Sequence, residues 1–141
     1  MMDLQKELIE SGINKKGLKA ILVPTDFSEN SDMALQAAID IAEQQNARIY
    51  LLHTTRTQQI AAEKETIRAQ IDKFHDAKLI EIIPDIRRGD PYEEILKVHA
   101  EKEIDLIVIA SHGKGLSHLR ARNVARKVTK SSKCSVLVVG D

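Results

Sequence analysis

Five short apolar runs, spaced by segments of helical period, leave this chain few architectures to choose from. The runs are KAILVP (19–24), RIYLLHT (48–54), LIEIIPDI (79–86), DLIVIA (105–110) and SVLVVG (135–140), all rich in Ile, Leu and Val. Four are nearly continuous rather than alternating, the pattern of strands covered on both faces. The third alternates more and carries Pro84, which predicts an edge strand, because proline has no N–H to give a neighbour.

The intervening segments read as helices. In ENSDMALQAAIDIAEQQNA, Met33, Ala34, Ala37, Ala38, Ile41 and Ala42 form one stripe, with Ser28 or Asn30 as the starting cap and Asn46 as the end. Residues 58–75 are polar, with a thin stripe of Ile60, Ile67, Ile71 and Phe74. GDPYEEILKVHAEKE begins with Asp90 as N-cap, Pro91 at the first helical position and Glu93 completing a capping box. The last helix is expected from about Ser117 to Ser131, with Leu119, Val124, Ala125 and Val128 inward. Strand and helix therefore alternate from end to end. That order predicts a single doubly wound α/β domain: a five-stranded parallel sheet with helices on both faces. A chain of 141 residues suits one such domain. Residues 1–18 precede it as an N-terminal extension, where Leu4, Leu8 and Ile9 suggest a short amphipathic helix ended by Gly12; the domain proper is 19–141.

Composition removes several function classes. With 21 basic and 21 acidic side chains the net charge is zero, so no uniformly basic face for nucleic acid is implied. Aromatic residues make up 3% and Trp is absent, so stacking platforms for single-stranded nucleic acid are nearly absent. A lone cysteine, Cys134, cannot form an intrachain disulfide and reads as a small buried filler. MMDLQKELIES lacks the basic-then-apolar profile of a signal peptide, and no apolar run approaches the length of a membrane span. These features predict a soluble cytoplasmic protein with no membrane partner.

Open parallel sheets bind ligands beyond the carboxyl ends of their strands, where strand order reverses. The residues expected there are PTDFS after the first strand, HTT after the second, RRGDP after the third and SHGKG after the fourth. Asp26 can accept hydrogen bonds from a ribose or an adenine amine, or can serve the loop itself. Gly113 and Gly115 can turn backbone N–H groups toward an anion ahead of a helix, or merely supply a turn. His53, His75, His99, His112 and His118 show no metal-ligand spacing, and His112 reads as a loop residue. Neither a G-x-S-x-G elbow nor a G-x-x-x-x-G-K-[ST] loop occurs.

From about Lys19 to Asp141 the chain resembles the universal stress protein family. ILVPTDFSENS is similar to that family's first strand and loop, RRGDPYEEIL to its third crossover, DLIVIASHGKG to its fourth strand and loop, and SVLVV to its last strand. The resemblance implies the strand order 3-2-1-4-5 and a stress-response or regulatory role. It also implies a homodimer through the last strand, here Ser135, Val136, Leu137, Val138 and Val139.

Part of that family binds ATP through G-x-x-G, nine residues, then G and Ser or Thr. Here Ala110 stands at the first position and Gly113 at the second. Nine residues on lie Asn123 and Val124; a loop one residue shorter puts Arg122 and Asn123 there and keeps Leu119, Val124 and Val128 facing the sheet. The third glycine is absent in either register. Pro24, Thr25, Asp26 and the backbone at Thr54 still match the adenosine side of the family's pocket. The expected site is thus Pro24, Thr25, Asp26, Thr54, Ala110, Gly113, Gly115, Arg122, Asn123 and Val124, with no metal and no catalytic set. ATP, ADP or AMP would bind weakly, with magnesium only alongside a triphosphate, and any turnover would be at most slow ATP hydrolysis. The alternative is a nucleotide-free dimeric interaction module. A phospho-acceptor signalling domain shares the alternation but needs a second acid beside Asp26 and a lysine ending the last strand.

Overall fold

The computed structural model describes residues 17–74, 76–77, 79–111 and 118–140. Strands β1 (Ala20–Pro24), β2 (Arg48–Thr55), β3 (Ile82–Arg88), β4 (Leu106–Ala110) and β5 (Ser135–Val139) alternate with helices α1 (Glu29–Gln45), α2 (Ile60–Asp72), α3 (Pro91–Lys102) and α4 (His118–Ser131). All strand pairs are parallel and the order across the sheet is β3-β2-β1-β4-β5, as the resemblance implied. The expected amphipathic helix near the N-terminus lies outside the described residues. Leu18, just before β1, is fully buried and its N–H donates to Gln45 Oε1 at 3.3 Å, tying the start of the domain to the end of α1.

Period-two alternation divides the strands between two cores. Ile21, Val23, Ile49, Leu51, Leu106 and Val108 face α1 and α2, packing on Ala34, Leu35, Ala38 and Ile67. Leu22, Tyr50, Leu52, Ile107 and Ile109 face the other way, onto Ile95 and Val98 of α3 and Ala125 and Val128 of α4. Burying both faces of β1, β2 and β4 is what demands their unbroken apolar sequence.

Helix ends follow local chemistry. Of the two candidate caps for α1, Ser28 does the work: its extended backbone lets Oγ accept from Ser31 N at 3.1 Å, and Asn46 closes the helix in the left-handed conformation. Asp90 Oδ2 accepts from Glu93 N at 3.1 Å, with Pro91 in the first turn of α3. Glu103 ends α3 at φ 51°, a left-handed residue with no glycine to signal it.

Four expectations need correction. The stripe on α1 is rotated by about one residue: Met33 is 55% exposed, whereas Leu35 and Ile39 are buried beside Ala34, Ala38, Ile41 and Ala42. The third run does not begin as strand at Leu79, which is 96% exposed; hydrogen bonds from Ala77 N to Phe74 O and Ile80 N to Ala77 O keep the chain turning until Ile82. SVLVV does not share the two-sided cover of β1 and β4: β5 pairs with β4 alone and is half-exposed, because it forms a sheet edge. Cys134 is only partly buried, packing against the α3/α4 core; burial still pushes its thiol up from the usual range. Pro84 is exposed on β3, the opposite edge, where its missing donor costs nothing.

These placements predict two mutational outcomes. Val108 is fully buried in β4, so Val108→Asp should cost at least about 4 kcal/mol and abolish the native circular dichroism. Gly89 has φ 153° and a Cβ built there would lie 2.8 Å from Glu94 Oε2. Gly89→Ala should therefore cost about 1–2 kcal/mol, lowering the thermal midpoint by roughly 3–8 °C without changing the fold.

Candidate functional site

Backbone N–H groups point alternately to the two sides of a strand. Thr25 N donates to Leu52 O of β2 at 2.8 Å, so the preceding position turns its amide toward β4. Pro24 occupies it and has no N–H to give. Accordingly β1 pairs with β2 as far as Pro24 and Leu52, but with β4 only at Ile21–Leu106 and Leu22–Ile107. Beyond that point the strands part and a cleft of about 210 Å³ opens.

The cleft lies where strand order reverses. One side is formed by Pro24, Thr25, Asp26 and Ser31, another by Leu52, His53 and Thr54, and the far side by Ile109 and Ala110 of β4. Pro91 and Ile95 of α3 and Ala121 and Val124 of α4 complete it. Six expected residues thus converge: Pro24, Thr25, Asp26, Thr54, Ala110 and Val124. Asn123 lines an adjoining cavity with Arg56, Asp90, Tyr92 and Lys127, which shares Pro91 and Val124 with the first. Arg122 is half-buried on α4 but outside the lining of both cavities. Gly113, Gly115 and His112 lie outside the described residues, as does the Leu119 side chain.

The turn carrying Asp26 is strained and heavily supported. Phe27 adopts φ 66°, an unusual choice for a bulky residue and one that costs roughly 1–3 kcal/mol. Its N–H donates to Thr25 Oγ1 at 3.0 Å, and Asp26 Oδ1 accepts from Ser28 N at 3.1 Å. Its ring stacks on His53 with centroids 4.1 Å apart. Behind the turn, Thr25 Oγ1 lies 2.8 Å from Gln70 Oε1 and 2.9 Å from Ser31 Oγ. Gln70 Nε2 in turn donates to Asp32 Oδ1 at 2.9 Å, and Lys73 pairs with the other oxygen of Asp32 at 2.8 Å. Thr25 therefore lines the cleft while its hydroxyl serves the wall.

His53 and Glu63 form a second support. His53 Nδ1 is 2.9 Å from Thr25 O, and Nε2 is 2.7 Å from Glu63 Oε2. Glu63 Oε1 accepts from Thr55 Oγ1 at 2.7 Å and Thr57 Oγ1 at 2.9 Å. Burial would push this carboxyl up, but those two hydroxyls and the charge on His53 together hold it below the usual carboxylate range.

Sequence reasoning gave no supporting role to Phe27, Ser31, His53, Glu63 or Gln70. Gln70 left a signal, since a polar residue on the inward stripe beside Ile67 and Ile71 requires a buried partner. The His53–Glu63 pair left none. Among the described residues no three His, Cys, Asp or Glu side chains are grouped to hold a metal, and no helix is long and apolar enough to cross a membrane.

Known proteins share this architecture. YxiE of Bacillus subtilis, a universal stress protein, is 30% identical over 144 residues, spanning 84% of this chain and 97% of its own length. A universal stress protein of Methanocaldococcus jannaschii is 28% identical over 138 residues, 86% of this chain and 81% of its own. UspA of Lactobacillus plantarum superposes with a TM-score of 0.75 at 23% identity, over 89% of this chain and 100% of that one. A universal stress protein solved in complex with cAMP gives a TM-score of 0.73 at 27% identity, over 88% and 98%. The family match itself runs from residue 17 to residue 140, taking in all five strands and the whole cleft: this chain belongs to the universal stress protein family.

Proposed function

We propose that the protein is a dimeric cytoplasmic regulatory module of the stress response that binds adenine nucleotides weakly, through their adenosine half. The observation that carries this reading is the cleft at the β1/β4 divergence, whose lining brings the apolar Leu52, Ile95 and Ile109 together with Asp26 and Thr54. A base can pack on such apolar residues, and a carboxylate among them suits a ribose hydroxyl or an adenine amine. A relative at 27% identity was solved with cAMP, which supports an adenine ligand for the cleft. The phosphate side is the weaker half. Ala110 stands where the family's signature has its first glycine, and Arg122, Asn123 or Val124 where it has its last small residues. Magnesium would enter only with a bound triphosphate, and any turnover would be at most slow ATP hydrolysis.

Loss of one or two phosphate contacts at about 1–1.5 kcal/mol each weakens binding roughly ten- to a hundredfold. Calorimetric titration should therefore give ATP, ADP and AMP similar, weak affinities, and the Arg122→Gly, Asn123→Ser double variant should gain affinity for ATP selectively. Tight, magnesium-dependent ATP binding by the wild type would show that Arg122 serves as a phosphate ligand instead. No binding of any adenosine compound would leave a nucleotide-free interaction module.

The partner in this reading is a second copy of the chain. Ser135 to Val139 form an edge with no proline, and Val138 is 41% exposed on it. Antiparallel pairing of the same strand about a two-fold axis closes both edges at once. Sedimentation should give a dimer for the wild type and a monomer for Val138→Lys; a dimeric variant would move the interface elsewhere.

A further inference from the structure

Three hydroxyls line the cleft, those of Thr25, Ser31 and Thr54, and the fate of their protons separates them. Gln70 Nε2 donates to Asp32 Oδ1 at 2.9 Å, so the atom that Gln70 turns to Thr25 is its oxygen, 2.8 Å away, which can only accept. The Thr25 proton therefore points into the wall. Ser31 Oγ donates to Ser28 O at 2.8 Å. Among the described residues, the Thr54 hydroxyl alone of the three makes no hydrogen bond within the fold.

Its direction follows from the strand. Thr55 reaches Glu63 of α2 at 2.7 Å, and alternation sends Thr54 to the opposite face, the face of Leu52, Ile95 and Ile109. Thr54 and Asp26 each stand two residues past the Pro24–Leu52 pair, the last of the β1–β2 ladder. The lining thus combines one carboxylate, which accepts, with one hydroxyl that has a proton to give. Asp26 Oδ1 accepts from Ser28 N, and a carboxylate has sites for further donors.

We propose that Thr54 is a specificity-determining residue of the cleft: its hydroxyl donates to a ring nitrogen flanking the exocyclic amine of a 6-aminopurine, while Asp26 accepts from that amine. This deepens the nucleotide reading and rests on it for its ligand. Adenine carries its amine between two bare ring nitrogens, N1 and N7, so either edge sets an acceptor beside a donor. Hypoxanthine puts a carbonyl in place of the amine. Facing the Asp26 carboxylate, that carbonyl leaves two acceptors with no proton between them. The cleft then favours adenosine over inosine by polarity rather than by shape.

Calorimetric titration with adenosine tests the assignment in the wild type, Thr54→Val and Thr54→Ser. Valine keeps the branched shape and removes the proton, so the thermal midpoint should stay within about 3 °C of wild type. Adenosine affinity should fall about tenfold in Thr54→Val and return to within about threefold in Thr54→Ser. The deciding probes are 1-deazaadenosine and 7-deazaadenosine, each of which exchanges one ring nitrogen for C–H and keeps the amine. The wild type should bind one of them about tenfold more weakly than adenosine, and Thr54→Val should bind that analogue and adenosine alike. Wild-type affinities that are equal for adenosine and both analogues would overturn the proposal, with no variant needed. So would an analogue loss of the same size in wild type and Thr54→Val, or inosine binding as tightly as adenosine. If the wild type binds no adenosine, the nucleotide reading fails and this assignment falls with it. If adenosine binds but its affinity is unchanged in Thr54→Val, the assignment alone is overturned.

Discussion

One missing hydrogen-bond donor organises the cleft end of the molecule. Pro24 sits where β1 would next donate to β4, and the ladder between them ends two residues earlier, at Leu22. Had that position carried an N–H, the central strands could have continued in register and closed the floor of the cleft. β2 stays paired with β1 through Pro24, so the opening is one-sided. The chain leaving β1 must then turn sharply into α1, and it does so through Phe27 at φ 66°. A turn of that cost persists only where its surroundings over-determine it. Here they do so twice, through the Thr25–Ser31–Gln70 hydroxyl and amide network and through the His53–Glu63 pair.

How much of this was legible in the sequence depended on the range of the interactions. The strands were legible because two-faced burial imposes unbroken apolar runs, and the caps of α1 and α3 because Ser28 and Asp90 act within three residues of themselves. The place of the cleft followed from the resemblance, whose strand order sets Asp26 and Ala110 beside each other where that order reverses. What escaped were choices made by tertiary contact. Met33 and Leu35 are both apolar, and the angle at which α1 meets the sheet buries Leu35 and exposes Met33. Leu79 has a strand former's composition but is held in a turn by backbone bonds. The cleft's supporting pairs join residues 28 and 45 positions apart, a separation at which hydrophobic period carries no information.

The two edges of the sheet are guarded differently. β3 presents exposed Pro84 and a charged cluster in which Arg87 contacts Asp85 at 3.1 Å and Glu101 of α3 at 2.6 Å. Proline and charge are both obstacles to a further strand. β5 has neither. Its only polar side chain is Ser135, and its remaining four residues are Val136, Leu137, Val138 and Val139. If one edge of this sheet is to accept another strand, the physical obstacles favour β5.

The same unevenness runs through the ligand site. In the proposed nucleotide reading, the adenosine side is built from segments joined by buried hydrogen bonds, which would lower the ordering cost of binding. In that reading the phosphate side includes Ala110, which stands at the first position where the family signature places glycine. A backbone that must present N–H groups to a phosphate needs room for close approach, and each added side chain takes some of it. A site with a preformed nucleoside slot and a crowded phosphate end would discriminate by base and ribose rather than by phosphate number. A protein built this way would respond to the total pool of adenine compounds far more than to the ratio of ATP to AMP.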